Sequence, residues 1–121
     1  MRRIQLPPAA GYEGLGIGKV IERRRSERDF SGEAISLLDL SRLLYYATGV
    51  TEERWGLRAA PSAGATYPIE VYPVVNSVDG LPQGIYHYLI HEHSLEFRRE
   101  GDFRRELVSY ALGQELSLIH I

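Results

Sequence analysis

The sequence predicts an α+β fold, a mixed or antiparallel sheet with flanking helices, and three observations carry that prediction. Helical and strand-like patterns run in the order helix, helix, strand, strand, strand, helix, which is segregation rather than the alternation of a doubly wound sheet. The clearest helical period, SLLDLSRLLYYATG (36–49), comes early, and the runs rich in β-branched and aromatic residues follow it. At 121 residues the chain is long enough for one modest core and no more.

Each element has its own local reason. Residues 5–18, QLPPAAGYEGLGIG, are rich in Pro and Gly and read as an extended lead-in without regular structure; residues 1–18 are set apart as that lead-in. KVIERRRS (19–26) reads as a short helix with Val20 and Ile21 inward and arginines in its last turn, where they complement the helix dipole. In 36–49, Ser36 and Asp39 have capping-box spacing, Leu37, Leu40, Leu44 and Ala47 form one apolar face, and Gly49 stands where a left-handed stop is wanted. IEVYPVVN (69–76) reads as a strand, with Pro73 confining it to an edge or a bulge. GIYHYLIHEHSLEFRRE (84–100) reads as two strands around a turn near Glu92–Ser94. DFRRELVSYALG (102–113) is an amphipathic helix with Asp102 as its N-cap and Gly113 as its stop.

Composition excludes several function classes. The net charge of −2 gives no general attraction to nucleic acid or to membrane surfaces. With no cysteine there is no disulfide, thiolate nucleophile or Cys-ligated metal. No signal-peptide pattern and no apolar run of membrane-spanning length is present, so the expected location is the cytoplasm. GLGIGK (14–19) lacks a preceding strand, and Val20 replaces the hydroxyl residue that a phosphate loop needs. His87, His91 and His93 have even offsets and would share a strand face, but without clustered Cys or Asp they read as ordinary strand positions, and no metal is expected. Tyr45, Tyr46 and Trp55 read as core aromatics.

Two segments carry chemistry. RRRSERDF (23–30) places four arginines in eight residues. On a helix such a run is ordinarily a solvated face. As an anion site it supplies guanidinium forks that match phosphate oxygens, with a serine hydroxyl beside them. Arg24, Ser26 and Arg28 alternate, so an extended backbone would point all three to one side. APSAGATYPIEVY (60–72) sets Ser62, Gly64 and Thr66 between two prolines just before a strand. Read blandly it is a connecting loop; read functionally, its small residues let the backbone approach a flat ligand and offer it N–H donors.

Taken in order and at these separations, RRSERDF, SLLDLSRLLYYATGV and PSAGATYPIEVY resemble the nitroreductase family of flavin enzymes. The third motif, with Leu6-Pro7 and GIYHY from Gly84, is most similar to the SagB-type dehydrogenase branch. The resemblance runs from Leu6 to about Gly113 and implies a nitroreductase-like fold, here incomplete, over 19–113. It implies that Arg24, Arg25, Ser26 and Arg28 grip the phosphate of FMN and that Pro61, Ser62, Ala63 and Gly64 lie against the flavin from a second subunit of a homodimer. It further implies an FMN-dependent oxidoreductase, either oxidising azoline rings in modified peptides beside a cyclodehydratase or reducing small molecules with NAD(P)H. The alternative is a noncatalytic subunit of the same fold, a scaffold in a peptide-modifying complex. A nucleic-acid binder using the arginines ranks last. Family members continue through further strands and helices that carry more flavin contacts and a lysine–tyrosine pair, so no catalytic residue is assigned here. The last residues, ELSLIHI (115–121), fit no family pattern, and the expectation is a truncated chain whose tail, 114–121, is a junction artefact.

Overall fold

The computed structural model describes residues 2–110. Its frame is a four-stranded antiparallel sheet, made of β1 (Arg3–Gln5), β4 (Val74–Val75), β5 (Gly84–Leu89) and β6 (Ser94–Glu100) in the spatial order β1-β6-β5-β4. A short ribbon, β2 (Val50–Glu52) with β3 (Leu57–Arg58), stands apart from it. Three helices, α1 (Ile17–Arg23), α2 (Leu37–Thr48) and α3 (Arg104–Tyr110), complete an α+β architecture.

The β5–β6 hairpin is the centre of the fold. Its register sets Tyr86 opposite Phe97 and Tyr88 opposite Leu95. Period-two alternation buries Gly84, Tyr86 and Tyr88 while their neighbours stay half-exposed. Tyr86 meets Phe97 edge to face at 5.1 Å, and its hydroxyl donates to the Pro82 carbonyl at 2.6 Å, so a fully buried phenol leaves no polar atom unmet. Leu40 and Leu44 of α2 join Leu6, Val75, Ile90 and Leu95 in the same cluster. The helix starts as its sequence dictates, with the Ser36 hydroxyl accepting from the Asp39 N–H at 3.0 Å.

The structure corrects several expectations. The lead-in is not wholly irregular: β1 pairs with β6, and Leu6 and Ala9 are buried. Helix α1 starts earlier and ends at Arg23, and Val20 and Ile21 are exposed because no described element covers them. On α2 the buried set is Leu40, Ser41, Leu44 and Thr48, while Ala47 is exposed. Gly49 is not left-handed; at φ −65° and ψ 163° it is extended. Glycine is needed there because a Cβ would lie 2.7 Å from the Tyr45 carbonyl oxygen. Of 69–76 only Val74–Val75 is regular strand, although the carbonyls of Val71 and Pro73 accept from Tyr88 and Tyr86 at 3.0 and 2.9 Å. Pro73 therefore sits on an edge, where its missing N–H costs nothing. Tyr46 and Trp55 are exposed rather than core. His87 lies in β5 while His91 and His93 fall in the turn, so the three do not share a face. Among the described residues no group of three or more His, Cys, Asp or Glu is placed to hold a metal, and no helix is long and apolar enough to cross a membrane. Gly113 and the 114–121 tail lie outside the described residues.

Candidate functional site

The arginine segment leaves the helix as soon as it begins. Arg24 caps α1 with an extended ψ of 130°, and residues 24–34 run on without regular structure. Arg25 is committed locally: its Nη1 donates to the carbonyls of Glu22 and Arg24 at 3.0 and 2.8 Å. The side chains of Arg24, Ser26 and Arg28 are exposed and make no hydrogen bond or ion pair among the described residues. The segment thus offers two guanidinium groups and a hydroxyl on a short exposed stretch. That donor set is suited to phosphate oxygens.

The second segment is a tight loop held by its own side chains. A 3₁₀ turn over Ala63–Ala65 brings the Ala65 N–H to the Ser62 carbonyl at 3.1 Å. The Ser62 hydroxyl accepts from the Tyr67 N–H at 2.9 Å, and the Tyr67 hydroxyl accepts from the Arg58 N–H at 3.1 Å. Gly64 has φ +72°, which glycine adopts freely, but Ala65 and Tyr67 at +53° and +46° do not have that freedom. Each such residue costs about 1–2 kcal/mol, and strain of this kind concentrates where a backbone shape serves a ligand. Nothing lies within 4 Å of a Cβ built on Gly64, so this part of the loop is open to an approaching group. Behind the loop is a cavity of about 530 Å³, walled by Pro61, Ser62 and Ala63 on one side and by Leu44 and Thr48 of α2 on the other. None of Arg24, Arg25, Ser26 or Arg28 lines it.

A buried polar network escaped the sequence reading. Ser41 and His93 meet at 2.7 Å (Oγ to Nε2), and Tyr88 meets His93 at 2.7 Å (hydroxyl to Nδ1). The Ser41 hydroxyl donates to the Pro7 carbonyl, so its oxygen is left to accept, and Nε2 of His93 carries the proton. Nδ1 then accepts from the Tyr88 hydroxyl. Burial, with the nearby Tyr45 phenol second, pushes the Tyr88 hydroxyl up to about 12, which keeps it a donor. The network ties the lead-in, α2 and the hairpin turn together, and its members are 34 and 52 residues apart. No local spacing rule reports such a contact.

Comparison with known proteins places the sequence and the fold. The nitroreductase family model matches residues 21–117. The chain is 40% identical over 111 residues to the nitroreductase-family protein MJ1384 of Methanocaldococcus jannaschii, covering 92% of this chain and 54% of that protein. It is 29% identical over 106 residues to the trifolitoxin operon protein TfxC of Rhizobium leguminosarum bv. trifolii, covering 75% of this chain and 30% of that one. Among solved structures, a nitroreductase-family protein of Ralstonia eutropha superposes with TM-score 0.72 at 33% identity, over 86% of this chain and 47% of its own. The Escherichia coli microcin synthetase McbBCD complex, at TM-score 0.54 and 23% identity over 82% of this chain and 42% of its own, shares the fold alone. The chain spans about half the length of the first of these relatives and less of the second. With its family match, its antiparallel hairpin core and the two segments in their expected order, this chain belongs to the nitroreductase family.

Proposed function

We propose that the chain carries two flavin-contacting segments of an FMN-dependent oxidoreductase of the SagB-type branch, working as a homodimer with the flavin at the subunit interface. The observation that carries the reading is the division of the site. Arg24, Ser26 and Arg28 stand exposed and unpaired among the described residues, while Pro61, Ser62 and Ala63 wall a separate cavity of the same chain. A site shared between two copies accounts for that division. Exposed apolar side chains on α1, with Ile17 and Ile21 80% and 68% accessible, support a partner surface beside the arginines.

The donor set fits the cofactor. Arg24 and Arg28 would hold the phosphate, with the Ser26 hydroxyl as third donor, and Arg25 would shape the segment through its carbonyl contacts. Pro61, Ser62, Ala63 and Gly64 would give the ring a close backbone wall. FMN would supply the two-electron chemistry, taking electrons from an azoline ring or from NAD(P)H. The similarity to TfxC and the fold shared with the microcin synthetase complex support a peptide-modifying setting; the partner proposed there is a cyclodehydratase. The same relatives support the second reading, a noncatalytic subunit of such a complex.

Titration of the protein with FMN, followed by quenching of flavin fluorescence, tests the assignment. Arg24→Ala and Arg28→Ala should each weaken binding by at least about tenfold, since a hydrogen bond to a charged group contributes about 1.5–3 kcal/mol. Unchanged affinity in both variants overturns the phosphate grip. Tight FMN binding with no turnover of an azoline peptide or of NAD(P)H would favour the scaffold reading.

A further inference from the structure

Four of the eight tyrosines run in file with His93, from the surface into the core. Tyr12 and Tyr46, each about half exposed, have ring centroids 6.4 Å apart. Tyr46 meets Tyr45 edge-on at 5.0 Å, Tyr45 meets His93 at 5.9 Å, and His93 meets Tyr88 at 5.7 Å. Tyr88 ends the file, wholly buried, with its hydroxyl donating to Nδ1 of His93 at 2.7 Å. The other side of the imidazole is also held, since Nε2 lies 2.7 Å from the Ser41 Oγ and 3.1 Å from the Pro7 carbonyl oxygen. Core packing accounts for the inner rings but not for the exposed outer pair.

Rings this close pass single electrons from one to the next. A phenol that loses an electron becomes a strong acid, so its oxidation is easy only where a base stands ready for the proton. Tyr88 has that base in Nδ1 of His93. Burial, with the Tyr45 phenol second, holds the Tyr88 hydroxyl at about 12, so it keeps its proton until the electron leaves. The chain has no cysteine to compete for an oxidant.

We propose that Tyr88 and His93 form a redox-active pair, reached through Tyr12, Tyr46 and Tyr45, that draws off one-electron oxidants such as peroxyl radicals met at the surface. The radical takes one electron through the rings and one proton from solvent, and leaves as a hydroperoxide. At the inner end the Tyr88 O–H bond breaks and an N–H bond forms on Nδ1, giving a neutral tyrosyl radical beside an imidazolium. The Ser41 oxygen and the Pro7 carbonyl stabilise that imidazolium through its Nε2–H. An enediol reductant at the surface returns the electron by the same rings, and the proton moves back to Tyr88. The proposal is independent of the flavin reading.

The test needs no added FMN. The protein is flash-photolysed with ruthenium tris-bipyridine and a cobalt(III) ammine acceptor, then freeze-trapped and read by electron paramagnetic resonance. A Trp55→Phe background removes the one tryptophan, whose side chain is largely exposed. A tyrosyl radical should outlive that of N-acetyltyrosinamide by at least about tenfold, the factor matching one retained hydrogen bond to a charged group. Tyr88→Phe should remove the persistent signal, and so should His93→Gln, which offers no base. Tyr46→Leu should slow the appearance of the signal without shortening its life. A radical no longer-lived than that of the free amide overturns the proposal without any variant having to fold. A persistent signal that survives Tyr88→Phe or His93→Gln also overturns it, and an unchanged rise in Tyr46→Leu overturns the route.

Discussion

Ser41 shows what one side chain decides here. It lies on α2 beside the leucine stripe, is wholly buried, and joins Pro7 of the lead-in to His93 of the hairpin turn. Ser41→Ala removes a donor and an acceptor at once and leaves the Nε2–H of His93 with a poorer partner. The change should cost about 2 kcal/mol, the range for stranding a buried polar group, and urea unfolding checks it. Tyr88→Phe should cost about 1 kcal/mol, because only the bond to Nδ1 is lost. Sequence spacing put His93 on a strand face. It could not supply the network, because Pro7, Ser41 and His93 come together only after the sheet and α2 have packed.

At the scale of elements, local rules worked where the cause was local. The Ser36 cap, the central part of α2 and the existence of the β5–β6 hairpin were legible because capping residues, the leucine period and alternating tyrosines act over a few positions. They failed at α1 and at Ala47, where burial depends on which neighbour arrives. Helix α3 offers a pH test. The Arg104 side chain, and then its backbone N–H, bond Asp102 and hold its carboxyl at about 2, below its ordinary 3.8. A folded-state value below the unfolded one adds stability that is present above pH 3.8 and is lost as pH falls through about 2. In that window the unfolded chain binds more protons, so stability rises with pH. Asp102→Asn should flatten this part of the profile, read from urea midpoints at stepped pH. An unchanged slope would mean that the pair is not formed in solution.

For the whole molecule, the sequence singles out two segments but not how they are distributed in space. Residue type alone marks Arg24, Ser26 and Arg28 as the proposed phosphate donors, and small residues mark Pro61–Gly64 as the proposed close-approach loop. Their separation within one chain became visible only in three dimensions, as did the strained conformations of Ala65 and Tyr67 and the cavity behind them. The apolar exposure of α1 belongs to the same scale, since in the proposed homodimer it would be partner surface. The measurement that tests this account most directly mixes two defective proteins. One carries Arg24→Ala with Arg28→Ala; the other carries Gly64→Val, which puts a β-branched residue at a positive φ and distorts the loop. If each flavin site takes its arginines from one copy and its loop from the other, each mixed dimer regains one intact site. FMN quenching should then return on mixing two proteins that bind weakly alone. No recovery on mixing, from subunits shown to exchange, would contradict the shared site.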